Sequence, residues 1–224
     1  MVEINAGEAP KRSRGRPQLR SDKETLALIL EAAGQEFQAS GYEATCIADV
    51  AERAGVSTKT LYRLVPTKAD LFASVISDRI ERFVPEIDFA ALDSLDAASA
   101  IERMLTVFGG LTLEPRTIEL TRLVIGECRA FPEVGAAFYE NAIRRTSQAM
   151  EEGLSRLCAR GLLCLDDPAD AVSMLRGMMI LEPQRATMLG QREPPSSEEI
   201  SARARRCAQV FLNGCAVARK RAST

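Results

Sequence analysis

Of the seven residues from Thr58 to Leu64, five carry hydrogen-bond donors: Thr58, Lys59, Thr60, Tyr62 and Arg63. None of the seven is acidic. Donors in such a run suit phosphate oxygens and the base edges of a DNA groove. A plain amphipathic surface helix would mix Glu with its Lys. Lys68 follows in the first turn of another predicted helix, where the helix dipole disfavours a cation. A phosphate docked on the free N–H groups there would account for it. Other chemistry finds little support. Histidine is absent, which removes the commonest general base, the commonest metal ligand and the usual partner of a nucleophile. Six cysteines (Cys46, Cys128, Cys158, Cys164, Cys207, Cys215) form no CxxC pair and read as reduced, mostly buried thiols. No enzyme activity, metal or cofactor is expected.

Charge is distributed to match. The chain of 224 residues has a net charge of −2, but between Arg53 and Ala69 there are four basic residues (Arg53, Lys59, Arg63, Lys68) and no acid. From Ala69 onward acids outnumber bases, 22 to 19. A small basic zone on a larger, mildly acidic body fits a nucleic-acid-binding head joined to a different kind of domain. No run of about 18 apolar residues is present, so no membrane span is expected. The first twenty residues lack an apolar signal core, so a cytoplasmic location is expected.

The elements that must hold these residues are helical. From Lys23, Leu26, Ile29, Leu30, Ala33 and Phe37 recur at spacings of three and four. Gly41 fits the end of this helix and Thr45 the N-cap of the next, which carries Ile47, Val50, Ala51 and Ala54. Ser57 can cap a third helix through Leu64. Thr67 can cap a fourth through Phe83. Five more are predicted: Ala97–Gly109, Pro115–Ala130, a long one from Pro132 to near Gly161, Pro168–Leu181 with its extension past Pro183 left open, and one from Ser197 to Ala218. The expected fold is therefore all-α, about nine helices. Its parts would be a basic N-terminal arm (residues 1–21), a three-helix helix-turn-helix DNA-binding domain (22–67) and a helical bundle for ligand binding and dimerisation (68–224).

The turn Ala54-Gly55-Val56-Ser57 joins the second and third predicted helices. Gly55 permits positive φ and a sharp turn, Val56 can plug the angle between helices, and Ala51 is small where they cross. This is helix-turn-helix grammar, although an ordinary helical hairpin would share the geometry. Thr45-Cys46-Ile47, Val50-Ala51, Ala54-Gly55-Val56-Ser57, Thr60-Leu61-Tyr62 and Lys68-Ala69-Asp70-Leu71-Phe72 together resemble the DNA-binding domain of the TetR family of bacterial transcriptional regulators. The match covers about residues 22 to 72. It departs at Leu64 and Val65, where the family usually has Tyr or His followed by Phe. The resemblance implies that Thr58, Lys59, Thr60 and Arg63 reach bases, that Thr45, Ser57, Tyr62 and Lys68 contact phosphates, and that Leu61 is core.

The resemblance also implies a regulatory half that binds a small molecule and dimerises. Leu120 to Glu140 resembles the AefR/AcrR-like subgroup. Candidate pocket residues are Phe83, Met104, Phe108, Phe138 and Tyr139, with packed core as the alternative for each. The last two helices carry Met, Cys and small residues on stripes and are the expected homodimer seam. The partners implied are a double-stranded DNA operator, an apolar effector and a second copy of the chain. A cysteine-based redox sensor on the same scaffold, using Cys207 and Cys215, is the alternative. Upstream, Arg14-Gly15-Arg16-Pro17 resembles an AT-hook core, so Arg14 and Arg16 are candidates for a minor-groove arm, with a solvated tail as the alternative.

Overall fold

The computed structural model describes residues 20–213. Arg14, Arg16 and the rest of the basic arm, and Cys215, lie outside the described residues. Nine helices, with short helical turns at Val84–Ile87 and Phe89–Leu92, account for the described secondary structure, and no strand occurs among the described residues.

Helix α1 (Asp22–Ala44) starts in a capping box: Ser21 Oγ accepts the Glu24 N–H at 3.2 Å and the Glu24 carboxylate accepts the Ser21 N–H at 2.8 Å. Gly41 ends its long run, as the sequence suggested. With φ 82° and ψ 172° Gly41 breaks the helix, which then resumes for one short turn to Ala44. That backbone region is essentially closed to other residues. Thr45 closes α1 instead of capping the next helix. The N-cap of α2 (Ile47–Arg53) is Cys46, with no side-chain cap bond. Helix α3 (Thr58–Leu64) is capped by Ser57. Helix α4 (Lys68–Phe83) starts with Thr67 Oγ1 accepting the Asp70 N–H at 3.0 Å, as the sequence suggested.

The remaining helices are α5 (Ala97–Thr112), α6 (Pro115–Glu127), α7 (residues 132–159), α8 (Pro168–Met188) and α9 (Ser197–Asn213). Helix α7 contains a π-helical segment, Tyr139–Arg144. Helix α8 continues through Pro183 for a physical reason. Proline has no N–H to give the Met179 carbonyl, and Arg203 of α9 supplies the missing donor: its Nε donates to Met179 O at 2.8 Å and Nη2 to Met178 O at 2.7 Å.

Two clusters of buried side chains form the core. One lies inside the bundle, around Met104, Phe108, Leu154, Leu175 and Met179. The other joins α1–α4 to α6 and α7: Phe37, Leu61, Leu71 and Phe72 share it with Val124 and Val134. Phe37 and Phe72 meet edge to face at 5.2 Å, and Tyr42 packs on Phe72 and on Phe131. Such aromatic pairs add about 0.5–1.5 kcal/mol each beyond area burial. The N-terminal helices are thus bonded to the bundle by a shared core as well as by α4.

Candidate nucleic-acid interface

Gly55, at φ 67°, turns the chain between α2 and α3. The Val56 N–H bonds back to Ala51 O at 3.0 Å, closing the turn. Leu61 and Val65 are buried and fasten α3 to the core, so Val65 fills an interior site with a smaller side chain than an aromatic. With Leu61 pointing inward, the opposite face of α3 faces solvent. Thr58, Lys59, Tyr62 and Arg63 are exposed and Thr60 half-buried. Thr58, Lys59 and Tyr62 have no hydrogen-bond partner among the described residues, and Tyr62 is 48% exposed. Ser57 Oγ accepts the Thr60 N–H at 3.1 Å and lies 2.9 Å from Thr60 Oγ1, so both hydroxyls are tied to the cap.

The cations nearby are anchored, which the sequence did not reveal. Arg63 grips Asp22 of α1 in a two-point fork, Nη1 to Oδ2 at 2.8 Å and Nη2 to Oδ1 at 2.7 Å. This hydrogen-bonded carboxylate raises the Arg63 pKa further. Arg53 donates through Nε to the buried Glu36 at 2.6 Å. Lys68 Nζ donates to Glu43 O at 2.8 Å and sits 5.0 Å from the centre of the Tyr42 ring. It therefore caps the C-terminal end of α1, where a cation is favoured. Of the four bases between Arg53 and Ala69, Lys59 alone has no ion pair or hydrogen bond among the described residues.

Thr45 needs correction as a contact residue. It is buried, and its hydroxyl donates to Gly41 O at 2.6 Å. It stabilises the break in α1 and leaves no side-chain donor for a phosphate.

Directly behind that break stands Glu127, from the end of α6. Its carboxylate accepts the Tyr42 N–H at 2.9 Å and the Glu43 N–H at 3.0 Å. A Cβ on Gly41 would lie 2.6 Å from Glu127 Oε1, so the carboxylate would have to shift from its bonds, and the positive φ favours glycine whatever the space. Tyr42 is buried, donates through its hydroxyl to Glu133 at 3.3 Å, and has its pKa pushed up to about 12 by desolvation first and the Glu133 charge second. Only Gly41 offered a sequence signal for this junction.

The five pocket candidates do not gather around one cavity. Met104 and Phe108 are fully packed in the bundle core, and Arg176 of α8 covers the Phe108 ring at 4.8 Å. Burial lowers the Arg176 pKa to about 10, and its Nη1 donates to Ile143 O, Thr146 and Ser147, pinning the π-helical segment. Phe138 packs on the α1–α4 cluster, while Tyr139 is 54% exposed. Phe83 alone of the five lines a cleft between α1, α4, α5 and α6. The Cys207 thiol is buried, and desolvation raises its pKa against the opposing Arg203 and Arg206 charges, making it a poorer nucleophile. No helix among the described residues is long and apolar enough to cross a membrane.

Comparison with known proteins agrees with this geometry. Residues 29–75 match the family described as bacterial regulatory proteins, tetR family. Residues 99–214 match the AefR-like transcriptional repressor C-terminal domain. The chain is 28% identical over 184 residues to a probable HTH-type transcriptional regulator, ArpR, of Pseudomonas putida, covering 76% of this chain and 87% of that protein. The fold is similar to that of a TetR-family regulator from Mesorhizobium loti, with a TM-score of 0.76 at 24% identity over 86% of this chain and 97% of that one. It is also similar to the flavonoid-responsive regulator FrrA, with a TM-score of 0.69 at 25% identity over 89% of this chain and all of that one (100%).

Proposed function

The chain belongs to the TetR family of bacterial transcriptional regulators, with an AefR-like C-terminal half, and on that premise we propose that it is a repressor that binds its operator as a homodimer and is released by a small molecule with an apolar body. The observation that carries the reading is the outward face of α3. The side chains of its exposed Thr58, Lys59 and Tyr62 are donors without partners among the described residues, on a helix anchored by buried Leu61. Thr58, Lys59, Thr60 and Arg63 are assigned to base edges, and Ser57, Tyr62 and Lys68 to phosphates. Arg14 and Arg16 extend the footprint into the minor groove beside it. Residues 22–67 form the reading head and 68–224 the regulatory half.

One seven-residue helix makes few contacts, so a second copy related by two-fold symmetry supplies a second half-site. The seam is placed on α8 and α9. Met174 and Leu181 of α8, 56% and 60% exposed, flank Gly177 on one face, and Val210 of α9 is 43% exposed. Large apolar side chains gathered around a glycine on a solvent face suit a close helix–helix contact with a like surface. A dimer of this kind holds its two α3 helices about 34 Å apart or a multiple of that. A ligand that favours another spacing weakens operator binding by population shift. The flavonoid response named for FrrA is in keeping with a small-molecule effector here. Selecting bound fragments from random duplex DNA tests the reading.

A further inference from the structure

A cleft of about 500 Å³ separates α1 of the head from α4 and the α5–α6 corner of the regulatory half. Its apolar surface includes Phe37, Val75, Leu120 and Leu123. Arg79 and Arg116 stand in its wall. One guanidinium nitrogen of Arg79 pairs with Glu114, but its Nε is buried and has no hydrogen-bond partner among the described residues. Buried donors left in that state are rare and call for a partner. Arg116 is exposed and makes no ion pair among the described residues. It lies close enough to Arg79 to help depress that group's pKa, after burial. The carboxylates nearby are mostly committed: Glu114 to Arg79 and Thr117, Asp78 to Arg82, and Glu31 to Gln35.

We propose that this cleft binds a small amphipathic monocarboxylate. Its carboxylate pairs with the exposed Arg116 guanidinium, with the Arg79 charge beside it, and its apolar body lies on Phe37, Val75 and Leu123. The occupant touches α1 and α4 together, so its binding is linked to the placement of the reading head. The inference deepens the regulator reading by naming an effector class and a site, while the binding itself needs no DNA.

The test titrates the full chain with 2-naphthoate and, as the neutral analogue, 2-naphthylmethanol, by calorimetry. Parent, Arg79→Gln, Arg116→Gln and Gly34→Leu are compared. Arg116 is exposed, so its replacement leaves the fold intact. A Cβ at Gly34 meets Val75 Cγ1 at an ordinary 3.6 Å, and a longer side chain there fills the cleft. The expected result is naphthoate bound about tenfold or more tighter than the alcohol, weakened about tenfold by Arg116→Gln and by Arg79→Gln, and abolished by Gly34→Leu. Equal affinity for acid and alcohol overturns the proposal, as does unchanged binding in Arg116→Gln or no naphthoate binding by the parent. Operator binding is measured separately. A chain that binds DNA but not naphthoate loses only this inference, and one that binds naphthoate but no DNA loses only the regulator reading.

Discussion

The Glu127 carboxylate accepts the Tyr42 N–H at 2.9 Å and the next N–H, that of Glu43, at 3.0 Å, which caps a break in α1 from 84 to 85 residues away in the chain. The bundle thereby holds the end of the helix on which the reading head is built. Glu127→Ala leaves both N–H groups without this acceptor and is expected to lower stability by about 1–3 kcal/mol. Gly41→Ala adds a Cβ at 2.6 Å from Glu127 Oε1 at positive φ, with a cost of similar size. In the double variant the contact between the two positions is gone while the backbone strain persists, so the effects are less than additive. Chemical denaturation of the four proteins checks this, and strict additivity contradicts it.

With Arg63 assigned to base edges as proposed, its fork to Asp22 sets up a competition with DNA. Asp22→Asn keeps the shape and removes the charge, so Arg63 is released toward the groove and operator affinity rises by about two- to fivefold. In an Arg63→Ala background the same change has no effect. A gel-shift titration of the four proteins checks it. Equal gains with and without Arg63 would sink the idea.

Tyr42 makes stability fall in strong alkali. Its folded pKa is raised to about 12 against an ordinary 10.0. Below pH 10 both states hold the proton and nothing is lost. Between pH 10 and 12 the unfolded state releases it while the folded state keeps it, so stability declines as pH rises. The decline approaches about 2–3 kcal/mol for this group. Tyr42→Phe starts less stable, lacking the bond to Glu133, but its loss across that window is smaller than the parent's. Denaturant midpoints measured from pH 9 to 12 give the comparison, and parallel curves would refute the assignment.

Leu181→Glu places a charge on the exposed apolar face of α8. The expected outcome is monomers in sedimentation at low micromolar concentration, with unchanged helicity and weakened operator binding. A variant that sediments as the parent does would move the seam elsewhere.

Local features were legible in the sequence because their causes are local. Gly55 and Leu61 placed α3, and Thr67 placed the start of α4. The acid-free run from Thr58 to Leu64 marked the face that the fold leaves open. Features that depend on distant partners were not legible. Arg63 pairs with Asp22, 41 residues upstream, and no periodicity encodes that. Gly41 read correctly as a helix end, but not as a contact with Glu127, because that carboxylate belongs to a helix far along the chain. Pro183 read as a possible stop, because its substitute donor, Arg203, lies on α9. Met104 and Phe108 had the composition of a pocket and the surroundings of a core, and only packing separates the two.

In the proposed regulator two copies of α3 read DNA together. Selecting fragments bound by the purified full chain from random duplex DNA measures this most directly. One enriched motif made of two inverted half-sites is expected, with centres about 10 base pairs apart or a multiple of one helical turn. A motif without two-fold symmetry, or no enrichment over the starting pool, contradicts it.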